Sequence, residues 1–133
     1  MPIFLDTNIL IYAYSDDEPH KQAIAQALCS LPDRWISTQV MIEFSNIARK
    51  KMGMDWKDIT LALLELRENF KVLTTSDTTI ITASQLADRY QLSWFDSLIV
   101  SAGLETNATT LYSEDLNDSQ IYEKQITVIN PFK

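Results

Sequence analysis

The chain has 133 residues, of which 46% are hydrophobic, enough for one globular domain with a buried core. Its formal net charge is −7, and it contains two glycines, one histidine and one cysteine. These counts exclude glycine-rich nucleotide-binding motifs and an internal disulfide bond, and they argue against a structural zinc site or a Cys–His nucleophile pair.

Strand-like and helical segments alternate along the chain. Short apolar segments predict strands at residues 2–5, 35–37, 71–74, 109–112 and 126–129. Helical patterns fill the gaps between the strands, most clearly at residues 21–28, 40–51, 56–69, 79–90 and 95–105, where apolar residues recur three or four positions apart. This alternation predicts one α/β domain over residues 1–133, in which helices cover both faces of a mainly parallel sheet.

Four acidic residues stand where this architecture would bring them to one edge of the sheet. They are Asp6 at the end of the first predicted strand, Glu43 in the second turn of a helix, Asp96 at the start of a helix, and Asp115 after the strand at 109–112. In open parallel sheets the functional site lies outside the carboxyl ends of the strands. Carboxylate ligands suit hard cations such as Mg²⁺, so the pattern predicts a site for one or two divalent cations.

Each acid also has a structural interpretation. Asp6 and Asn8 could cap the helix that contains Ile9, and Ser93 with Asp96 has the spacing of a capping box. Asp115 could belong to an acidic turn. Glu43 lies on the apolar face of its helix, where an unpaired carboxylate is costly, and no basic residue lies one turn away. Its partner must therefore come from elsewhere, and a metal ion is one candidate.

Four motifs resemble those of PIN-domain nucleases. They are FLDTNIL at residues 4–10, VMIEF at 40–44, DSLIVSA at 96–102 and LYSED at 111–115. Their order and spacing, together with the chain length, resemble the VapC-type toxins of toxin–antitoxin pairs. The resemblance covers the whole chain and implies a three-layer α/β/α fold with a five-stranded, mainly parallel sheet.

The resemblance also implies roles for individual residues. Asp6, Glu43, Asp96 and Asp115 would bind Mg²⁺ or Mn²⁺ and carry catalysis. Asn8 and Ser113 would assist the first and last of these acids by holding a carboxylate or a metal-bound water. The family often has threonine in place of Ser113 and a second acid two residues after the main one. Here Asp118 follows Asp115 by three residues, so its role stays open.

The predicted activity is that of an endoribonuclease in which metal-activated water attacks RNA and leaves a 5′-phosphate and a 3′-hydroxyl. The net charge of −7 opposes such a substrate. A basic cluster near Gly53 could contact phosphates or could simply form a solvated helix end; its members are Arg49, Lys50, Lys51 and Lys57. The resemblance further implies a small antitoxin protein that covers the acidic site, and a homodimer.

Two other functions fit parts of the pattern. One is a metal-free binding or scaffold module on the same fold. The other is a metal-dependent phosphatase, because residues 5–8 superficially resemble an aspartyl-phosphate motif, although Asn8 stands where that motif needs a second aspartate. No apolar run approaches the ~20 residues of a membrane span, and no basic segment precedes the first apolar run. We therefore expect a cytoplasmic protein without membrane contact.

Overall fold

The computed structural model describes residues 1–133, with six strands and six helices. The strands are β1 (Ile3–Leu5), β2 (Arg34–Ser37), β3 (Lys71–Leu73), β4 (Thr110–Tyr112), β5 (Ile121–Tyr122) and β6 (Ile126–Ile129). The helices are α1 (Thr7–Tyr14), α2 (Pro19–Leu28), α3 (Thr38–Lys50), α4 (Trp56–Asn69), α5 (Asp77–Tyr90) and α6 (Trp94–Glu105). The fold is the predicted three-layer α/β/α arrangement. No helix has the length and apolar composition that crossing a membrane requires.

The sheet has six strands rather than the five predicted. Its strand order is β3-β2-β1-β4-β6-β5, and only the β5–β6 pair is antiparallel. The unpredicted strand, β5, has two residues, which is too short for a hydrophobic alternation to be visible. Its hairpin also lacks the usual turn signal, because Glu123 and Lys124 take the positive φ angles that glycine or asparagine normally supplies.

The central strand pair positions the first and last motifs. β1 and β4 pair in parallel with Leu5 opposite Tyr112. The pairing continues one residue further, because the amide of Asp6 donates to the carbonyl of Tyr112 at 3.0 Å. Asp6 and the segment that begins at Ser113 therefore leave the sheet side by side. This juxtaposition depends on strand order.

The core explains how the other two acids are placed. Strand residues such as Phe4, Ile36 and Leu111 are fully buried under the helices. α6 lies deepest among the helices, since residues 97–103 are all buried. Its first turn emerges at the edge of the sheet where β1 and β4 end, and α3 starts directly after β2 at the same edge.

Candidate metal centre

Asp6 is the most deeply buried of the four acids, with 5% of its surface exposed. It is the N-cap residue of α1, and its Oδ1 accepts a hydrogen bond from the Thr7 amide at 2.7 Å. Its Oδ2 accepts from the Ser113 hydroxyl at 2.8 Å. The pKa of Asp6 is raised to about 7, chiefly by burial and also by the charges of Asp115 and Glu43. The hydrogen bonds from Ser113 and Thr7 lower the pKa but do not offset this rise. The carboxylate is thus both a cap and a poorly neutralised buried charge.

Ser113 and Asn8 connect Asp6 to Asp115. The fully buried Ser113 hydroxyl donates to Asp6 and accepts from the amides of Asp115 at 3.2 Å and Leu116 at 3.3 Å. The Asn8 amide group donates to Asp115 Oδ2 at 2.8 Å. Asn8 therefore holds a carboxylate and does not cap α1. Both residues lie beside the acids that they are predicted to assist.

Glu43 has a partner that the sequence analysis missed. Its Oε1 accepts a hydrogen bond from Gln39 Nε2 at 2.7 Å, and Gln39 lies one helical turn earlier on α3. The partner of Glu43 is therefore a neutral amide on the same helix and not a group from another element. The sequence contains a signal for this pair, because Gln39 and Glu43 are four positions apart. Burial raises the pKa of Glu43, the Gln39 bond opposes this, and the charges of Asp96 and Asp115 raise the pKa further.

Asp96 has only half of the predicted capping box. The Ser93 hydroxyl accepts from the Asp96 amide at 3.3 Å, but the Asp96 carboxylate makes no return bond to Ser93. Its carboxylate is therefore free to act elsewhere. The pKa of Asp115 is raised by burial and then by the negative charges of Asp96 and Glu114, so the Asp96 carboxylate acts on Asp115.

The four carboxylates form one electrostatic group. In addition to burial, the charges of Asp115 and Glu43 raise the pKa of Asp6. The charges of Asp96 and Asp115 raise the pKa of Glu43, and that of Asp96 raises the pKa of Asp115. None of the four belongs to a salt bridge, although five such pairs occur elsewhere in the chain. Asp6, Glu43 and Asp115 accept hydrogen bonds, but no cationic side chain pairs with any of the four acids.

This donor set fits a hydrated cation better than a closed cage. No three His, Cys, Asp or Glu side chains are arranged so that they could hold a metal ion by themselves. Mg²⁺ commonly takes only one or two protein carboxylates and completes its shell with waters and substrate phosphate. Unneutralised carboxylates, an amide and a hydroxyl are the oxygen-rich surroundings that such a hard cation prefers.

Two neighbouring acids are engaged elsewhere. Glu114 forms a salt bridge with Lys21 at 2.6 Å. Asp118 Oδ1 accepts from the amide of Asn130 at 2.8 Å. Asp118, whose role the sequence left open, therefore joins two loop segments through a hydrogen bond to the backbone.

The basic cluster divides into one engaged residue and three exposed lysines. Arg49 donates to the carbonyl of Met54 at 3.1 Å, and its guanidinium lies 5.7 Å from the centre of the Trp56 ring. It therefore fixes the turn between α3 and α4. The exposed lysines, Lys50, Lys51 and Lys57, form no salt bridge. Arg49 is six residues beyond Glu43 on α3, or about 9 Å along the helix axis.

A family model described as PIN domain matches residues 3–124. Among solved structures, the chain is similar to a toxin–antitoxin complex from Klebsiella pneumoniae, with a TM-score of 0.73 and 22% identity over 98% of each chain. It is similar to VapC20 from Mycobacterium tuberculosis, described as a sarcin–ricin loop cleaving toxin, with a TM-score of 0.71 and 18% identity over 85% of this chain and 89% of that one. VapBC-1 from nontypeable Haemophilus influenzae gives a TM-score of 0.68 and 20% identity over 100% of both chains. A comparison with curated proteins gives no match.

Proposed function

The chain belongs to the PIN domain family, and on that basis we propose that it is a metal-dependent endoribonuclease that serves as the toxin of a toxin–antitoxin pair. The observation that carries the proposal is the group of four carboxylates at one edge of the sheet: burial and neighbouring negative charges raise the pKa values of Asp6, Glu43 and Asp115, and none of the four acids has a salt-bridge partner. The similar folds described as toxins, one of them as cleaving the sarcin–ricin loop, support the same assignment.

Asp6, Glu43, Asp96 and Asp115 would hold one or two Mg²⁺ or Mn²⁺ ions. Lewis-acid chemistry and a water of lowered pKa are what such a cation supplies to phosphodiester hydrolysis. The other side chains orient the ligands: Ser113 fixes Oδ2 of Asp6, Asn8 fixes Oδ2 of Asp115, and Gln39 fixes Oε1 of Glu43. These bonds restrict the carboxylates of Asp6, Asp115 and Glu43 to one orientation before the cation arrives, which lowers the cost of binding.

The products follow from the groups that the chain lacks at this edge. Cyclisation through the RNA 2′-hydroxyl relies on a side-chain acid and base, usually including histidine. The single histidine, His20, is exposed in the first turn of α2 and hydrogen-bonds to none of the site residues. We therefore expect hydrolysis that leaves a 5′-phosphate and a 3′-hydroxyl.

The decisive experiment compares two acids of one loop. Purified protein should cleave RNA in Mg²⁺ or Mn²⁺ and stop in excess EDTA. Asp115→Asn should lower the cleavage rate by about 100-fold or more, the scale of one preorganised electrostatic contact. Asp118→Asn should leave the rate unchanged, because its carbonyl oxygen can still accept from the Asn130 amide. Cleavage that persists in EDTA, or equal loss in both variants, would contradict the proposal.

The proposal includes a small antitoxin protein, a homodimer and a cytoplasmic location. Expression of the chain alone should slow growth, and co-expression of a small protein encoded beside it should restore growth. Light scattering of the purified chain should give twice the mass of one chain. Normal growth with abundant folded protein would argue against a toxin, and a monomeric mass would remove the dimer from the proposal.

A further inference from the structure

Lys21 lies at the centre of a cluster beside the carboxylate group, which we call the Lys21 clamp: Tyr12, Lys21, Glu114 and Phe132. Lys21 Nζ donates to Glu114 Oε2 at 2.6 Å and to the Tyr12 hydroxyl at 3.2 Å. It also lies 4.7 Å from the centre of the Tyr12 ring and 5.5 Å from that of Phe132. Tyr12 Oη donates to the other Glu114 oxygen at 2.6 Å. Both carboxylate oxygens of Glu114 are therefore held.

The clamp continues the contacts that hold Asp115. Asn8 and Tyr12 are four residues apart on α1, so they lie on one face of that helix. Asn8 donates to Asp115, and Tyr12 donates to the preceding residue, Glu114. Lys21 adds a contact from α2 to the same loop. Residues 114 and 115 are thus fixed by one helix face and braced by a second helix.

We propose that Lys21 is a positioning residue, which together with Tyr12 engages Glu114 and thereby fixes the Asp115 carboxylate toward the cation site. The inference rests on the proposed function, because it assigns Asp115 to cation binding. Without the clamp, Asp115 would keep its bonds to Asn8 and Ser113, but the Glu114 side chain would no longer anchor the loop to α1 and α2. Glu114 would also become an unpaired acid next to the carboxylate group.

The clamp should affect cation affinity more than folding stability. Lys21 and Glu114 keep 27% and 25% of their side-chain surfaces exposed, so their ion pair is screened by solvent. Cation affinity should respond more strongly than stability, because small displacements of the Asp115 carboxylate would weaken its contact with the metal. The two properties can therefore be measured separately.

The test uses a variant that leaves the net charge unchanged. Lys21→Met/Glu114→Gln removes the ion pair, retains an unbranched side chain over the Tyr12 and Phe132 rings, and adds no charge near the cation. Mn²⁺ binding to metal-free protein, measured by isothermal titration calorimetry, should weaken by about 10-fold, the lower end of the usual effect of residues that orient metal ligands. Tyr12→Phe, also charge-neutral, should show a smaller loss and serves if the double variant does not fold.

The chain offers a matched control in Lys71 and Asp33. Lys71 Nζ lies 2.9 Å from Asp33 and 5.7 Å from the centre of the Trp35 ring, so it also combines an ion pair with an aromatic contact. Lys71→Met/Asp33→Asn removes the same kinds of interaction outside the carboxylate group. Its Mn²⁺ affinity should equal that of the wild type. An equal loss in both double variants would overturn the role of the clamp.

Amide hydrogen exchange gives a readout that needs no metal. The amides of Asp115 and Leu116 donate to Ser113 Oγ, so they report the order of this loop. Lys21→Met/Glu114→Gln should speed their exchange and leave the β4 amide of Leu111 unchanged. Wild-type Mn²⁺ affinity and exchange in this variant would overturn the clamp while the proposed function stands. A wild-type protein that fails to bind Mn²⁺ would overturn both.

Discussion

Burial of Asp6 in the folded chain disfavours its ionised form, whereas the proposed cation binding requires that form. Burial raises its pKa from the ordinary value of 3.8 to about 7, and the bonds from Ser113 and Thr7 only partly compensate. Since the folded pKa lies above the unfolded one, the folded chain binds this proton more tightly than the unfolded chain. The contribution to stability is therefore complete below pH 3.8 and is lost as pH rises through about 7. A cation would relieve the same conflict without a proton.

Asp6→Asn should remove this pH dependence in metal-free protein. At pH 8 we expect the free energy of unfolding to exceed that of the wild type by about 1–2 kcal/mol, because no charge is buried. The gain stays below the value implied by the pKa, since the NH₂ group that replaces Oδ2 cannot accept a hydrogen bond from the Ser113 hydroxyl, a bond worth about 1 kcal/mol. At pH 5 the advantage should vanish. Urea unfolding in EDTA at both pH values measures the difference.

The effect of Mn²⁺ on stability distinguishes a cation ligand at Asp6 from a residue that only caps α1. Saturating Mn²⁺ should raise the melting temperature of the wild type more than that of Asp6→Asn, because a ligand stabilises the state that binds it. A residue that only caps α1 would give the same loss of stability at pH 5 and pH 8, with no dependence on Mn²⁺. That outcome would remove Asp6 from the cation site.

At the scale of secondary-structure elements, Gly103 sets how closely α6 approaches the sheet. A Cβ atom at Gly103 would lie 2.7 Å from Ile126 Cδ1 on β6 and 3.7 Å from Phe4 Cβ on β1. Because α6 carries Asp96 in its first turn, a shift of this helix would also move one acid of the site. The absence of a side chain here is therefore part of how the site is assembled.

A double-mutant cycle tests that contact. Gly103→Ala gains about 1 kcal/mol of helix propensity but crowds Ile126, which typically costs about 1–3 kcal/mol, so a net loss is expected. Ile126→Val alone should cost about 1 kcal/mol. It also removes Cδ1, the crowded atom, so the double variant should be more stable than the sum of the single effects by about 1 kcal/mol. Additive free energies from urea unfolding would show that the helix moves instead.

The sequence predicts those elements whose apolar pattern is visible locally, including strands of three or four residues. α4 and β6 begin and end at the predicted residues, and the four acids lie at the predicted edge because parallel strands share a direction. β5 could not be predicted, since two residues show no period and its turn lacks glycine. Contacts such as Asn8 with Asp115, separated by 107 positions, depend on β1 and β4 being neighbours, which local patterns do not specify.

At the scale of the whole molecule, the acidic chain and the anionic RNA of the proposed function carry charge of the same sign. The net charge is −7, and the four site acids account for more than half of it. Bound cations would neutralise that part locally. Under the proposed function, further attraction for RNA would come from unpaired cations, and Lys50 and Lys51 are exposed at the end of α3 without salt bridges. The same lysines also favour the carboxyl end of the helix dipole.

Salt dependence distinguishes phosphate contact from a solvated helix end. Lys50→Gln/Lys51→Gln, made in an inactive Asp96→Asn background with Mn²⁺ present, should weaken binding of single-stranded RNA. It should also reduce the slope of log affinity against log salt by about 1.4, or about 0.7 for each lost phosphate contact. Lys124→Gln/Lys133→Gln makes the same change in net charge near the β5 hairpin and the carboxyl terminus. If fluorescence polarisation shows equal slopes for both double variants, the α3 lysines act only through net charge, and the RNA path lies elsewhere on the surface.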